Sequence, residues 1–134
     1  MRTMGSPVLA IAILDDEEAF RRALSRLLRA HDHHVFVYDA GAALLGDLRR
    51  RSFDCLLLDL HMPGTSGFDV LAAIGHDPAA PPVITITGHD DPDFERRALA
   101  LGAFACRRKP VGAADLLATI GRACASRGPA GAAP

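Results

Sequence analysis

Four reactive stretches in this chain share one habit: each stands where an apolar run stops. Asp15-Asp16 closes Val8 to Leu14, and Asp59 closes the run that begins at Phe53. Thr87 closes Val83 to Ile86, and Lys109 stands just past Phe104-Ala105-Cys106. Carboxylate oxygens gathered with room for water and a loop carbonyl would hold Mg²⁺, a hard cation that demands octahedral oxygen. A carboxylate beside such an ion is also a known type of nucleophile, the former of aspartyl phosphates. Phosphoryl transfer needs its equatorial oxygens neutralised more than it needs a strong base. Lys109 can supply a point charge there and Thr87 a hydroxyl hydrogen bond. Left without a positive charge, three neighbouring carboxylates would repel and shift one another's pKa. The chemistry needs the whole set, so everything turns on what brings it together.

The elements that must do so read as strands alternating with helices. Val8 to Leu14 and the run from Phe53 to Leu60 are too short and too apolar for surface helices, and fit strands buried on both faces. Val35 to Tyr38, Val83 to Thr87 and a short run from Phe104 to Arg108 supply three more. After Glu17-Glu18, Phe20, Leu24, Leu27 and Leu28 recur at helical spacing, with Arg21, Arg22 and Arg26 mostly off that stripe. The carboxylates thus sit over a helix N-terminus, where the dipole favours negative charge. Asp39 is the expected cap of a second helix carrying Ala43, Leu44 and Leu48 and ending in Arg49-Arg50-Arg51. Ser66 caps a third, with Phe68, Leu71 and Ile74 inward, behind turn residues Pro63, Gly64 and Gly67. Asp91 and Pro92 open a fourth with Phe94, Ala98 and Leu101 inside and Gly102 at its end. The fifth runs from about Ala113 to Ala123 and buries Leu116, Leu117 and Ile120.

Strands and helices in alternation imply an α/β fold, a doubly wound five-stranded parallel sheet. Right-handed crossovers and a switch point make its expected strand order 2-1-3-4-5. That order sets the strands ending in Asp15-Asp16 and Asp59 side by side and brings Thr87 and Lys109 to the same rim.

At 134 residues, 49% hydrophobic and 23% charged, the chain is one ordinary globular domain rather than a disordered one. A net charge of −1 gives no general field for nucleic acid or an anionic membrane. Cys55, Cys106 and Cys124 lack CxxC spacing and suit reduced, packed thiols. No run has the length of a membrane span or the form of a signal peptide, so a cytoplasmic protein is expected. His31, His33 and His34 sit together at a helix-to-strand turn, where adjacent side chains diverge, and read as solvated residues rather than a metal cluster.

The set of Asp15-Asp16, Asp59 with Met62-Pro63 and Gly67 behind it, Thr87-Gly88 and Lys109-Pro110, each at a strand end, resembles the receiver domain of bacterial two-component response regulators. The resemblance covers residues 7–124 and implies a flavodoxin-like (βα)5 fold, with 125–134 a flexible tail or linker stub. It implies Asp59 as phosphoacceptor, charged by a sensor histidine kinase or phosphotransfer protein. Asp16 and Asp59 would hold Mg²⁺ directly, Asp15 through water, and the His61 backbone carbonyl would complete the protein ligands. Lys109 would pair with the phosphoryl group, and Thr87 would move toward it on activation. Pro110 would follow a cis peptide bond. His61 and His89 occupy positions that tune how long the phosphoryl group survives. Ile86 to His89 is similar to receivers of the nitrogen-fixation and nitrate regulator type.

Two positions depart from the family pattern. Cys106 stands where an aromatic residue usually couples to the threonine, so transmission must differ here. Arg107 stands where an apolar residue is common, and a buried guanidinium needs a partner, so it should snorkel or find a carboxylate. Arg96, Arg97 and Arg108 fall on the fourth-helix, fifth-strand, fifth-helix face that receivers use for partners or homodimers, although a solvated face is the default reading.

Besides the phosphorylation-switched module, two readings stay open: a phosphate-independent interaction module on the same fold, and a phosphatase with an aspartyl nucleophile. The phosphatase ranks last, because His61 stands where such enzymes keep a second carboxylate. No DNA-binding segment fits after Cys124, which leaves a single-domain regulator or an output domain beyond Pro134.

Overall fold

The computed structural model describes residues 7–88 and 90–127. Its strands are β1 (Ala10–Leu14), β2 (His34–Tyr38), β3 (Cys55–Leu58), β4 (Val83–Thr87) and β5 (Ala105–Arg108). They alternate with α1 (Glu18–Ala30), α2 (Gly41–Leu48), α3 (Gly67–Ile74), α4 (Pro92–Ala100) and α5 (Ala113–Arg127). All strand pairs are parallel, in the order β2-β1-β3-β4-β5. The expected architecture is therefore the observed one.

Period-two alternation divides the strand side chains between two cores. Ile11, Ile13, Cys55, Leu57, Ile84 and Ile86 pack with Leu24 and Leu28 of α1 and Leu116 and Ile120 of α5. Ala12, Leu14, Leu56, Leu58 and Val83 pack with Leu44 of α2, Val70 and Leu71 of α3 and Ala98 of α4. β3, the middle strand, is buried along its whole length, which is why its sequence is nearly unbroken leucine. Leu57 is 1% exposed, and truncating it to alanine should lower the unfolding free energy by about 3 kcal/mol, read from the urea midpoint at constant slope.

The edges read differently. β2 has one neighbour, and Val37 is 46% exposed on it, so this strand is not buried on both faces. Asp39 does not cap α2: the N-cap is Ala40, with no side-chain hydrogen bond. The Gly41 N–H instead donates to the Thr65 carbonyl at 3.2 Å, so the loop after β3 takes over that orphan group. Ala43 is exposed, and Leu44 is the buried contact of α2. The arginines behind α2 are tied down: Arg50 pairs with Asp47 at 2.8 Å, and the Arg51 guanidinium lies 4.4 Å over the Phe36 ring.

Other local signals act as expected. Asp91 caps α4 by accepting from the Asp93 N–H at 2.9 Å, and Pro92 is the first helical residue. Ser66 is the N-cap of α3, and its N–H donates to Asp69 Oδ2 at 2.8 Å. α5 continues to Arg127, past the expected helix end near Ala123, so a boundary after Cys124 would fall inside a helix. The rest of the expected tail, 128–134, lies outside the described residues.

Candidate functional site

Parallel register places the reactive residues before any side chain is considered. Leu14 is paired with Leu58 in neighbouring strands, so Asp15 and Asp59 each follow their strand at the same level. The Asp59 N–H donates to the Leu14 carbonyl at 2.8 Å and extends that pairing by one step. Thr87 is level with Arg108, and the Lys109 N–H donates to the Thr87 carbonyl at 2.8 Å. Four segments far apart in sequence thus end at one rim, where open α/β sheets bind ligands.

Asp15 and Asp59 are 1% and 5% exposed, while Asp16 is open to solvent. One oxygen from each lies within 4.8 Å of the others. An octahedral Mg²⁺ holds oxygens roughly 3 to 4 Å apart, so this donor set fits a hard divalent cation after slight contraction. Among the described residues it is the group so arranged. The three histidines are directed elsewhere: His31 Nδ1 lies 3.0 Å from the Leu27 carbonyl, the Leu9 N–H donates to His33 Nδ1 at 3.2 Å, and His34 is exposed.

Lys109 reaches into the acids. Its Nζ is 2.8 Å from Asp15 Oδ2, 3.2 Å from Glu17 Oε1 and 3.8 Å from Asp59 Oδ2. The Phe20 ring lies beneath the ammonium, 4.3 Å away. Burial alone would lower the Lys109 pKa, but the hydrogen bond to Asp15 and the charges of Asp15 and Asp59 outweigh it and hold the amine above its usual value. Glu17 and Phe20 were not among the site residues read from sequence. The signal for Glu17 was its place directly after Asp15-Asp16; Phe20 showed only a core spacing.

The Asp59 carboxyl is pushed above the ordinary carboxylate range, chiefly by burial, with Asp15 and Asp16 acting in the same direction. The His61 N–H, which donates to Asp59 Oδ1 at 3.2 Å, and the Lys109 charge oppose the shift. A raised acid disfavours its charged form in the folded state. Stability is therefore lost as pH rises through the unfolded and then the folded pKa, and stays lower above both. In EDTA at pH 7.5, Asp59→Asn should raise the Tm by a few degrees, and the gain should shrink as pH falls toward 4 in a differential scanning series.

Thr87 is 5% exposed at the end of β4. Beside it, between α4 and β5, is a cavity of about 250 Å³ whose lining includes Leu60, Thr87, Phe94, Glu95 and Cys106. The His61 ring stacks on Phe94, one of the lining residues, with ring centres 6.3 Å apart. Cys106 is half-buried, its Sγ 3.9 Å from the Glu95 carbonyl, and burial raises its thiol pKa. It is a small packed residue rather than a reactive thiolate. Arg107 finds its carboxylate: Nε donates to Asp115 Oδ2 at 2.9 Å and Nη2 to Thr119 Oγ1 at 3.1 Å, both on α5. Lys109-Pro110 is cis, as expected. His89 lies outside the described residues.

Gly67, the first residue of α3, lets this loop close on the site. Its N–H donates to the Asp59 carbonyl at 3.0 Å, and a Cβ there would overlap that same carbonyl oxygen. The backbone behind Asp59 is held by contact with the start of α3.

Comparison with known proteins points one way. Residues 11–121 match the family model described as response regulator receiver domain. The response regulator protein TodT of Pseudomonas putida is 34% identical over 120 residues, 90% of this chain and 53% of TodT. The transcriptional regulatory protein FixJ of Bradyrhizobium diazoefficiens is 32% identical over 120 residues, 90% of this chain and 58% of FixJ. The chain thus spans about half the length of these curated relatives. Among solved structures, a response regulator receiver domain protein from Clostridium thermocellum superposes with a TM-score of 0.81 at 31% identity, covering 90% of this chain and 97% of that one. Chemotaxis protein CheY4 of Vibrio cholerae, at 24% identity and a TM-score of 0.80 over 87% of this chain and 99% of its own, shares the fold.

Proposed function

The chain belongs to the response regulator receiver family of two-component systems, and on that premise we propose that Asp59 is its phosphoacceptor, charged by a sensor histidine kinase or phosphotransfer protein in a Mg²⁺-dependent step. The observation that carries the proposal is the convergence of Asp15, Asp16, Asp59 and Lys109 within a few ångströms at one rim.

In this reading a carboxylate oxygen of Asp59 bonds to phosphorus as the phosphorus–nitrogen bond of the donor breaks, and the leaving nitrogen keeps the electron pair. Asp16 and Asp59 would hold Mg²⁺ directly, Asp15 through water, with the His61 backbone carbonyl as the remaining protein ligand. When bound, the ion neutralises negative charge on the transferred group. Lys109, held by Asp15 and Glu17, has only to turn toward Asp59, from which it is 3.8 Å away, to meet the new phosphoryl oxygens. Thr87 offers its hydroxyl to another of them. His61, exposed behind Asp59, would tune how long the group survives attack by water, and His89 is proposed for the same role from its place in the sequence. The domain catalyses its own phosphorylation and dephosphorylation and transforms no separate substrate.

Thr87 and Cys106 would form the switch. With a thiol in place of a ring, movement of Thr87 would be felt in the cavity against α4 rather than by rotation of an aromatic side chain. The α4-β5-α5 face, with Arg96 paired to Asp93 at 2.6 Å and Arg108 paired to Asp90, is the surface on which that movement would reach a partner or a second copy. No helix among the described residues is long and apolar enough to cross a membrane, and a cytoplasmic setting fits a kinase-charged switch.

Incubation with Mg²⁺ and a small phosphoramidate, followed by intact mass, tests the reading. The expected outcome is one added phosphoryl group, dependent on Mg²⁺, absent in Asp59→Asn and retained in Cys106→Ala. No gain in the wild-type chain would favour the phosphate-independent interaction module instead.

A further inference from the structure

A second concentration of charge lies away from the acidic rim, in an open groove of about 720 Å³ between α1 and the edge strand β2. Arg21, Arg22, Arg26 and Arg29 line it, with Glu18 as the one carboxylate, in a chain whose net charge is −1. Guanidiniums one turn apart repel, so such a stripe works against its own helix unless something anionic offsets it. Two of the four are fixed: Arg21 Nη1 donates to the Asp15 carbonyl at 2.7 Å and Arg29 Nη2 to the Val35 carbonyl at 3.3 Å. Carbonyl oxygens orient these groups without cancelling their charge. Arg22 and Arg26, exposed between them, pair with no carboxylate among the described residues.

An independent observation comes from the groove's own lining. Ser25 belongs to it and is 6% exposed, and its hydroxyl is shut off from solvent with no hydrogen-bond partner among the described residues. Buried hydroxyls are normally satisfied, so one left unpaired in the wall of a charged groove calls for a partner. Val37, 46% exposed on β2, adds an apolar wall on the other side.

From these features we infer that the α1–β2 groove binds a small oligophosphate, a compound with two or more linked phosphate groups. Its phosphates lie along the arginines, a stripe about 12 Å long at 1.5 Å rise per residue. Guanidinium forks match phosphate oxygens two at a time. Four cationic groups in so short a span call for the charge density of linked phosphates, and the groove has the volume of a small-ligand site. On binding, the Ser25 hydroxyl turns outward from its buried position to donate a hydrogen bond to the ligand, and Val37 carries any ring or base attached to it. The inference is independent of the role of Asp59.

The test is an amide-shift titration of the whole chain in EDTA, which strips divalent ions from the acidic rim. Inorganic pyrophosphate and a nucleoside triphosphate are the probes. Shifts should map to α1 and β2, and the nucleotide should bind at least threefold tighter if Val37 carries its base; equal affinity assigns the site to the phosphates alone and still supports the inference. Arg22→Ser with Arg26→Ser should weaken pyrophosphate at least tenfold. Ser25→Ala should weaken it at least threefold while the circular dichroism spectrum and thermal transition stay intact. Neither variant should alter phosphoryl uptake from a small donor. Shifts confined to the rim, or none at millimolar probe, would overturn the inference. So would binding indifferent to Ser25→Ala, which marks a bare charged face, or an oligoglutamate peptide binding as tightly as pyrophosphate, which marks a protein-docking face.

Discussion

Replacing Lys109 with alanine is expected to slow phosphorylation of Asp59 by a small phosphodonor about a hundredfold, and to tighten Mg²⁺ binding at the same time. The two effects have one cause. Lys109 is the cation that sits among Asp15, Glu17 and Asp59. Removing a fixed charge aimed at developing phosphoryl oxygens costs about 10²-fold or more in comparable sites. Yet the same ammonium competes with a divalent ion for the carboxylates, and without it their mutual repulsion favours any cation that enters. Stopped-flow phosphorylation and a Mg²⁺ titration followed by calorimetry would check the pair. A purely structural lysine would lower the rate and the metal affinity together.

The other large effect is expected at Gly67. An added methyl overlaps the Asp59 carbonyl oxygen, and that neighbour is backbone, with no flexible end to swing away. Gly67→Ala should therefore cost about 3 kcal/mol of stability. Displacement of the acceptor by about 1 Å should cut the phosphorylation rate about a hundredfold as well. Gly46→Ala is the control. It lies inside α2 with open space where a Cβ would stand, so the substitution should stabilise the domain by about 0.5–1 kcal/mol and leave the rate unchanged. Urea denaturation and phosphorylation kinetics on both variants separate a local collision from a general effect of filling glycines.

These contrasts bear on how much of the molecule the sequence reveals. β3 was legible because a middle strand must be apolar on both faces, and Cys55 to Leu58 leaves no other reading. Asp15, Asp16, Asp59 and Lys109 were legible because topology alone fixes strand ends; their convergence needs no knowledge of rotamers. Glu17 and Phe20 were not, since their contacts with Lys109 depend on where a long flexible side chain turns after crossing from β5 to α1. The end of α5 was misread because Ala125 and Ser126 look like linker composition, whereas Ser126 Oγ donates to the Ala123 carbonyl at 2.8 Å and the helix continues. The α2 cap was misread because Asp39 has the right chemistry one residue too early, and Thr65, from a distant loop, receives the Gly41 N–H. The partner of Arg107 was foreseen in kind but not in identity; Asp115 could be named only once the first turn of α5 was seen to reach the Arg107 guanidinium.

The most direct test is to locate the phosphoryl group chemically. The chain is phosphorylated with a small donor and Mg²⁺, the acyl phosphate is reduced with borohydride, and the peptides are read by tandem mass spectrometry. The account predicts that position 59 alone is converted from aspartate to homoserine. Conversion at Asp15, Asp16 or another carboxylate, with position 59 untouched, would contradict it.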